Sequence, residues 1–89
     1  MRIKKGFTLR TVMGQNVVLA EGNNSDNYGK IITLNSSAAL LWEKLKGKSF
    51  EAEDAARVLV DAFGIDAQQA REDAAYILGK MTEKGLLEK

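Results

Sequence analysis

The 89-residue sequence contains no cysteine and no histidine. The lack of cysteine excludes disulfides, thiolate metal sites and a cysteine nucleophile, and the lack of histidine removes the commonest general base and metal ligand. The acidic residues lie where helix starts and solvated helix faces favour them, so they do not indicate acid–base catalysis. We therefore predict that the protein is not an enzyme and that it uses no metal ion or other cofactor.

Long hydrophobic runs are also missing. No stretch approaches the roughly 20 residues that a membrane-spanning helix needs, and the first ten residues, MRIKKGFTLR, contain no apolar run of signal-peptide length. The expectation is a cytoplasmic protein without membrane contact. Hydrophobic residues still make up 45% of the chain and are spread along it, which predicts one domain, residues 1–89, with one modest core.

Acidic residues are missing from the first 20 positions. This segment contains Arg2, Lys4, Lys5 and Arg10, whereas residues 49–75 contain seven acidic residues and two arginines. The formal net charge of +1 therefore hides an uneven distribution. A basic segment can meet an acidic partner, although short charged runs more often serve as solvated surface.

The first part of the chain has the composition of β-structure. Residues 7–12 and 16–20 are rich in Thr, Val and Leu and flank a connection that contains Gly14, which predicts a β-hairpin. Residues 21–29 concentrate Gly, Asn, Ser and Asp, which predicts a loop.

A third extended run covers residues 30–34. Its alternation places Ile32 and Leu34 on one face and Ile31 and Thr33 on the other. Because Leu34 leads directly into a helix, we expect Ile32 and Leu34 to lie in the core, with Ile31 and Thr33 facing outward.

The rest of the chain contains no proline and predicts three helices. Their starts are assigned to Asn35 or Ser36, Ser49, and Asp66 with Gln69 as a variant capping box, and their ends to Gly47, Gly64 and Gly85. Each helix has an apolar stripe. The stripes are Ala38, Leu41, Trp42 and Leu45; Ala55, Val58, Leu59, Ala62 and Phe63; and Ala67, Ala70, Ala74, Ile77, Leu78 and Met81.

The order of three strands followed by three helices predicts an α+β fold. We expect a three-stranded antiparallel sheet followed by three helices, in a winged helix-turn-helix-like arrangement. Proteins with such helices commonly place one of them in the major groove of DNA. Here Glu72 and Asp73 lie near the start of helix three, where carboxylates repel phosphate. This charge disfavours DNA binding, so a winged-helix DNA-binding transcriptional regulator is kept only as the alternative function.

The third strand is the most informative feature for function. If the strands form a meander, residues 30–33 make an edge with unpaired N–H and C=O groups, no proline and one charge, to which an extended peptide can add as a strand. The alternative is an edge covered by the loop of residues 21–29. The sequence leaves open whether Lys30 and Ile32 or Ile31 and Thr33 direct their backbone groups outward.

The chain contains five characteristic segments, which occur in this order: TLRTV, VVLAEG, IITLNSSAALLWEKLKG, AEDAARVLVDAFG and AREDAAYILGKMTEKGLLE. In order and spacing they resemble the coenzyme PQQ synthesis protein D (PqqD-like) family over nearly the whole chain. Leu34 with Asn35, Trp42, and the GLL of residues 85–87 carry most of the resemblance.

The resemblance implies a peptide chaperone, also called a recognition element, for ribosomally made and modified peptides. Such proteins bind a precursor's leader segment as an added strand along strand three, against helix three. They present it to a modifying enzyme, which is a radical S-adenosylmethionine protein in the PQQ pathway. The implied pairing edge is Lys30, Ile31, Ile32 and Thr33. The opposite wall is assigned, with the help of the helical wheel, to Arg71, Ala74, Ala75 and Leu78, where small alanines leave room for side chains of the peptide.

Overall fold

The computed structural model of the chain describes residues 1–20 and 31–88. Its elements are β1 (Arg2–Ile3), β2 (Phe7–Val12), β3 (Gln15–Ala20), β4 (Ile31–Leu34), α1 (Ser36–Leu45), α2 (Ala52–Phe63), α3 (Ala67–Glu83) and β5 (Leu87–Glu88). The sheet order β2-β3-β4, followed by three helices, confirms the predicted α+β fold, and the arrangement fits the winged helix-turn-helix-like class. The predicted loop of residues 21–29 lies outside the described residues.

The hairpin of β2 and β3 turns through two residues. Met13 has φ of 51° and Gly14 has φ of 80°, and Val12 pairs with Gln15 across the turn. Positive φ at both central residues is the signature of a type I′ turn, whose twist matches that of the flanking strands. The hairpin prediction is thus confirmed, with Gln15 added to the second strand.

Helix α1 begins as the sequence predicts. The Asn35 side chain accepts a hydrogen bond from the Ala38 backbone N–H, with 2.8 Å between Oδ1 and N. The predicted stripe is buried, and Trp42 is only 3% exposed. Because β4 ends at Leu34 and the cap is the next residue, the helix directly fixes the end of the strand.

Helix α2 begins later than predicted. Its N-cap is Glu51 rather than Ser49, and the Asp54 carboxylate accepts the Glu51 N–H at 2.8 Å. The reason lies in the preceding residue, because Phe50 exchanges two backbone hydrogen bonds with Met1. That pairing keeps the chain extended through Phe50. The predicted left-handed cap at Gly64 is confirmed, with φ of 67°.

The apolar stripe of α2 is shorter than predicted. Ala55 and Leu59 are buried and Val58 is half-buried, but Ala62 and Phe63 are exposed, so these last two assignments are wrong. Helical spacing predicts which residues share a face, but the depth at which the helix end leaves the core depends on packing against neighbouring elements.

Helix α3 keeps most of its predicted stripe. The buried members are Ala70, Ala74, Ile77, Leu78 and Met81, whereas Ala67 is exposed. Asp66 caps the helix by accepting the Gln69 N–H, but the Gln69 side chain donates to Asp73 instead of returning to the cap. Only half of the predicted capping box therefore forms.

The chain ends are tied together by a strand pair that the sequence did not indicate. Arg2 pairs with Glu88 and Ile3 with Leu87, and the Lys4 N–H donates to the Leu86 carbonyl at 2.8 Å. One cluster of buried residues joins this pair to the sheet and to all three helices. Among the described residues, no helix is both long enough and apolar enough to span a membrane.

Trp42 should dominate the stability of this core. We expect Trp42→Ala to lower the free energy of unfolding by about 3–5 kcal/mol, because it empties a large buried site. A small domain has about 5 kcal/mol or little more, so the variant should be largely unfolded. Phe63→Ala is the matched control, since Phe63 is 48% exposed, and should cost about 1 kcal/mol or less. Urea unfolding followed by circular dichroism measures both, and equal midpoints would contradict the assignment.

Candidate functional site

Strand β4 is an edge of the described sheet. Within residues 1–20 and 31–88 it pairs with β3 alone, from Leu19 opposite Ile31 to Asn16 opposite Leu34. The predicted alternation is confirmed, because Ile32 and Leu34 are buried and Ile31 and Thr33 are exposed. Ile31 is 65% exposed.

The turn at Met13 and Gly14 determines which backbone groups of β4 are open. A two-residue hairpin turn is closed by a hydrogen-bonded pair, and bonded and non-bonded pairs then alternate along an antiparallel ladder. With Val12 and Gln15 as the closing pair, Val17 bonds to β2, and Val18 directs its N–H and C=O toward β4.

The same alternation continues into β4. Val18 and Ile32 form a bonded pair, whereas Val17 and Thr33 form a non-bonded pair. Ile32 therefore directs its backbone groups toward β3, and Ile31 and Thr33 direct theirs toward the open edge. This resolves the parity that the sequence leaves open.

A groove of about 270 Å³ runs beside this edge, between β4 and α3. Its apolar floor is formed by buried side chains: Leu34, Ala38, Ile77 and Met81. Thr33 and Asn35 form the rim on the strand side. The open backbone of Thr33 and an apolar groove are thus side by side.

The α3 rim of the groove carries positive charge and one aromatic ring. Tyr76 is 67% exposed, and the Lys80 Nζ lies 5.6 Å from the centroid of its ring, a cation–π distance. The same Nζ is 3.5 Å from a carboxylate oxygen of Glu83, while Lys84 extends the rim by one further turn. The rim therefore offers two ammonium groups and a phenol above an apolar floor.

The residues assigned to the pairing edge lie on or next to that edge. Ile31 and Thr33 direct backbone groups outward, and Ile32 directs its backbone groups inward with its side chain in the core. Lys30 lies outside the described residues.

The four α3 residues assigned from the sequence do not line this groove. They are Arg71, Ala74, Ala75 and Leu78. Ala74 and Leu78 are buried, and Arg71 turns toward α2, where its Nη1 is 3.8 Å from Glu53 Oε1. At 3.6 residues per turn, their mean direction lies about 140° around the helix from that of the groove residues.

Three groove residues were not assigned from the sequence: Tyr76, Lys80 and Lys84. They recur at every fourth position, so they share one face of α3. The sequence did show that Tyr76 lies opposite the apolar stripe. It did not show which side of α3 faces β4, because tertiary packing sets that rotation.

The family model of coenzyme PQQ synthesis protein D (PqqD) matches residues 15–87. The chain belongs to the PqqD family. The matched range begins at β3 and includes both β4 and α3, the two walls of the groove. The family resemblance inferred from the sequence is thus confirmed. No curated protein sequence matches this PqqD family member significantly.

Two solved structures share the fold of this PqqD family member. One is TbiB1 in complex with the TbiA(beta) leader peptide, with a TM-score of 0.73, 18% identity, and coverage of 99% of this chain and 95% of the other. The other is lasso peptide synthetase B1 complexed with the leader peptide, with a TM-score of 0.72, 22% identity, and coverage of 99% and 96%. The likeness extends over nearly the full length of all three chains.

The backbone phase of β4 can be measured in the free protein. We expect the Thr33 amide to exchange with solvent faster than the Ile32 amide by a factor of about 100 or more, because only Ile32 donates within the sheet. Amide hydrogen exchange followed by NMR gives both rates. Equal protection would contradict the assigned phase, and protection of Thr33 alone would reverse it.

Proposed function

We propose that this protein is a peptide chaperone that binds the leader segment of a ribosomally made precursor and presents it to a modifying enzyme. The observation that carries the proposal is the open edge of β4, where Ile31 and Thr33 direct backbone groups outward beside an apolar groove. Residues 1–89 act as one peptide-binding domain, and the product is PQQ or a related peptide-derived compound.

The edge supplies affinity that does not depend on the peptide's sequence. An extended peptide that adds to β4 exchanges main-chain hydrogen bonds with Ile31 and Thr33, as in other cases of strand addition. β4 contains no proline, so Ile31 and Thr33 each keep a backbone N–H that can donate to a strand added in the plane of the sheet. Lys30, Ile31, Ile32 and Thr33 remain the proposed pairing segment.

The groove supplies selectivity. Alternate side chains of an added strand point to one face, so one or two of them enter the groove between β4 and α3. The floor favours apolar side chains, and Lys80 and Lys84 favour an acidic residue or another hydrogen-bond acceptor beside them. A leader that combines apolar and acidic residues fits this surface.

Membership of the PqqD family and the two structural neighbours support this function. Each neighbour was solved as a complex with a leader peptide. A binding role without catalysis, in the cytoplasm, agrees with the missing histidine and cysteine. As the resemblance to the PQQ pathway implies, the proposed modifying enzyme is a radical S-adenosylmethionine protein, and we expect an adjacent gene to encode it.

The DNA-binding alternative has less support. Helix α3 begins at Ala67, and its first two turns contain Arg71, Glu72 and Asp73, so these turns carry more negative than positive charge. A recognition helix uses these turns against the DNA. The family and the neighbours point to peptides, so we assign no nucleic-acid partner.

Proline substitutions test the added strand. Thr33→Pro removes an outward N–H, so we expect a folded protein whose affinity for the cognate leader falls about tenfold or more. Ile32→Pro removes an N–H that bonds to β3 and empties a core position, so we expect it to unfold the domain. Thr33→Ala is the control, because it keeps the N–H and should bind nearly as well as the parent protein.

The measurements are a thermal melt and calorimetric titration with the leader of a short precursor encoded beside this gene. Normal binding by folded Thr33→Pro would show that the peptide does not add to β4. A folded Ile32→Pro variant would show that the backbone phase is assigned incorrectly.

A second pair of variants distinguishes the two possible α3 walls. Tyr76→Ala removes the aromatic rim of the groove and should weaken leader binding about tenfold. The variant loses the contact surface of the ring and the cation–π interaction that positions Lys80. Arg71→Ala, on the other side of α3, should change binding less than about twofold. The reverse order of effects in the same titration would favour the wall assigned from the sequence.

A further inference from the structure

A second hollow, with strongly basic walls, lies away from the groove. Its volume is about 270 Å³, and it is lined by β1, the start of β2 and the end of α1. Lys4, Lys5 and Lys46 surround it, and Trp42 and Phe7 contribute apolar surface. No acidic residue is among the described residues that line it.

None of the three lysines forms an ion pair with another described residue. Within the described residues, the ion pairs use only Arg57, Arg71 and Lys80 as cations. Three ammonium groups around one hollow repel one another unless an anion lies between them. Among the described residues, no carboxylate competes with an anion that enters the hollow.

The backbone around the hollow is fixed without these side chains. The Lys4 N–H donates to the Leu86 carbonyl at 2.8 Å, and the Lys46 N–H donates to the Trp42 carbonyl at 3.0 Å. The Lys48 N–H donates to the Leu45 carbonyl, so the last carbonyl of α1 has a backbone partner. The ammonium groups of Lys4, Lys5 and Lys46 are thus not needed to complete the fold.

The hollow and the groove lie at opposite ends of α1 and at opposite edges of the sheet. Ala38 lines the groove and Lys46 lines the hollow, a rise of about 12 Å along the helix. Phe7 belongs to β2, which is separated from β4 by β3 and so lies about 10 Å away. A peptide added to β4 leaves the hollow accessible.

The chemistry of the hollow favours carboxylates next to an apolar side chain. Lysines present point charges on flexible stems, and the lining contains no arginine that could grip phosphate in a bidentate manner. Nucleic acid also requires an extended basic stripe, whereas this cluster is one small hollow on a chain with a net charge of +1. An acidic polypeptide matches both its size and its charge.

We propose that the hollow formed by Lys4, Lys5, Lys46, Trp42 and Phe7 binds an acidic segment of a partner protein while the leader occupies β4. Only the simultaneous occupation rests on the proposed function. The segment places carboxylates against the lysines and one apolar side chain over the hydrophobic surface of the hollow. The site thereby gives a partner a means of recognising the chaperone without competing for the leader.

The test uses a short probe peptide, acetyl-Glu-Asp-Leu-Glu-Asp-amide, added to ¹⁵N-labelled protein at low ionic strength. Trp42 lines the hollow and is the one tryptophan of the chain, so its indole N–H signal is identified without ambiguity. We expect saturable shifts of the Trp42 indole and of residues 4–7 and 46–47 that weaken as salt is added. The neutral probe acetyl-Gln-Asn-Leu-Gln-Asn-amide should give no such shifts.

Two charge-matched variants complete the test. The variant Lys4→Gln, Lys5→Gln, Lys46→Gln should bind the acidic probe about tenfold more weakly, because three charge pairs are lost. The control Arg10→Gln, Lys44→Gln, Arg57→Gln loses the same charge outside both sites and should bind within about twofold of the parent. Both variants should bind the leader normally.

The contradicting results are distinct. Equal weakening in both variants, or shifts located elsewhere, would show that only the net charge attracts the probe. If a short DNA duplex shifted the same signals and bound more tightly than the acidic probe, the ligand of the hollow would be nucleic acid and not an acidic polypeptide. If the parent protein did not bind the leader, the proposed function would be contradicted, and the result for the hollow would be unchanged.

Discussion

The hydrogen-bond alternation that starts at the turn of Met13 and Gly14 governs the whole sheet. A two-residue turn fixes Val12 and Gln15 as a bonded pair, and every later pair on β3 and β4 follows from it. An added residue in the turn would shift this phase and change which face of the strand is buried. The turn thus determines that Thr33 directs its backbone groups away from β3 while Ile32 secures β4 to β3.

The core holds this edge in place from the other side. Asn35 begins α1 one residue after β4 ends, and the α1 stripe with Trp42 anchors the strand in the common cluster of buried side chains. The pairing of β1 with β5 brings the chain ends onto the same cluster. An edge that is short, exposed and rigidly supported loses little conformational freedom when a peptide adds to it, which favours binding.

Local patterns in the sequence were sufficient for the elements and for the alternation along β4. The caps at Asn35 and Asp66 depend only on neighbouring residues, so they could be predicted. The start of α2 depends on the distant pairing of Phe50 with Met1, and the rotation of α3 toward β4 depends on packing; neither leaves a local signal. For this reason the alternation along β4 could be predicted, whereas the face of α3 that borders the groove could not.

The most direct test of strand addition is a set of isotope-filtered NOE spectra of labelled protein bound to its unlabelled cognate leader. Strand addition predicts contacts from the peptide backbone to the amide protons of Ile31 and Thr33 and to the Hα of Ile32, which points toward the same edge, together with contacts from peptide side chains to the Tyr76 ring. A bound peptide whose contacts are confined to side chains, or that lies on another surface, would contradict the account.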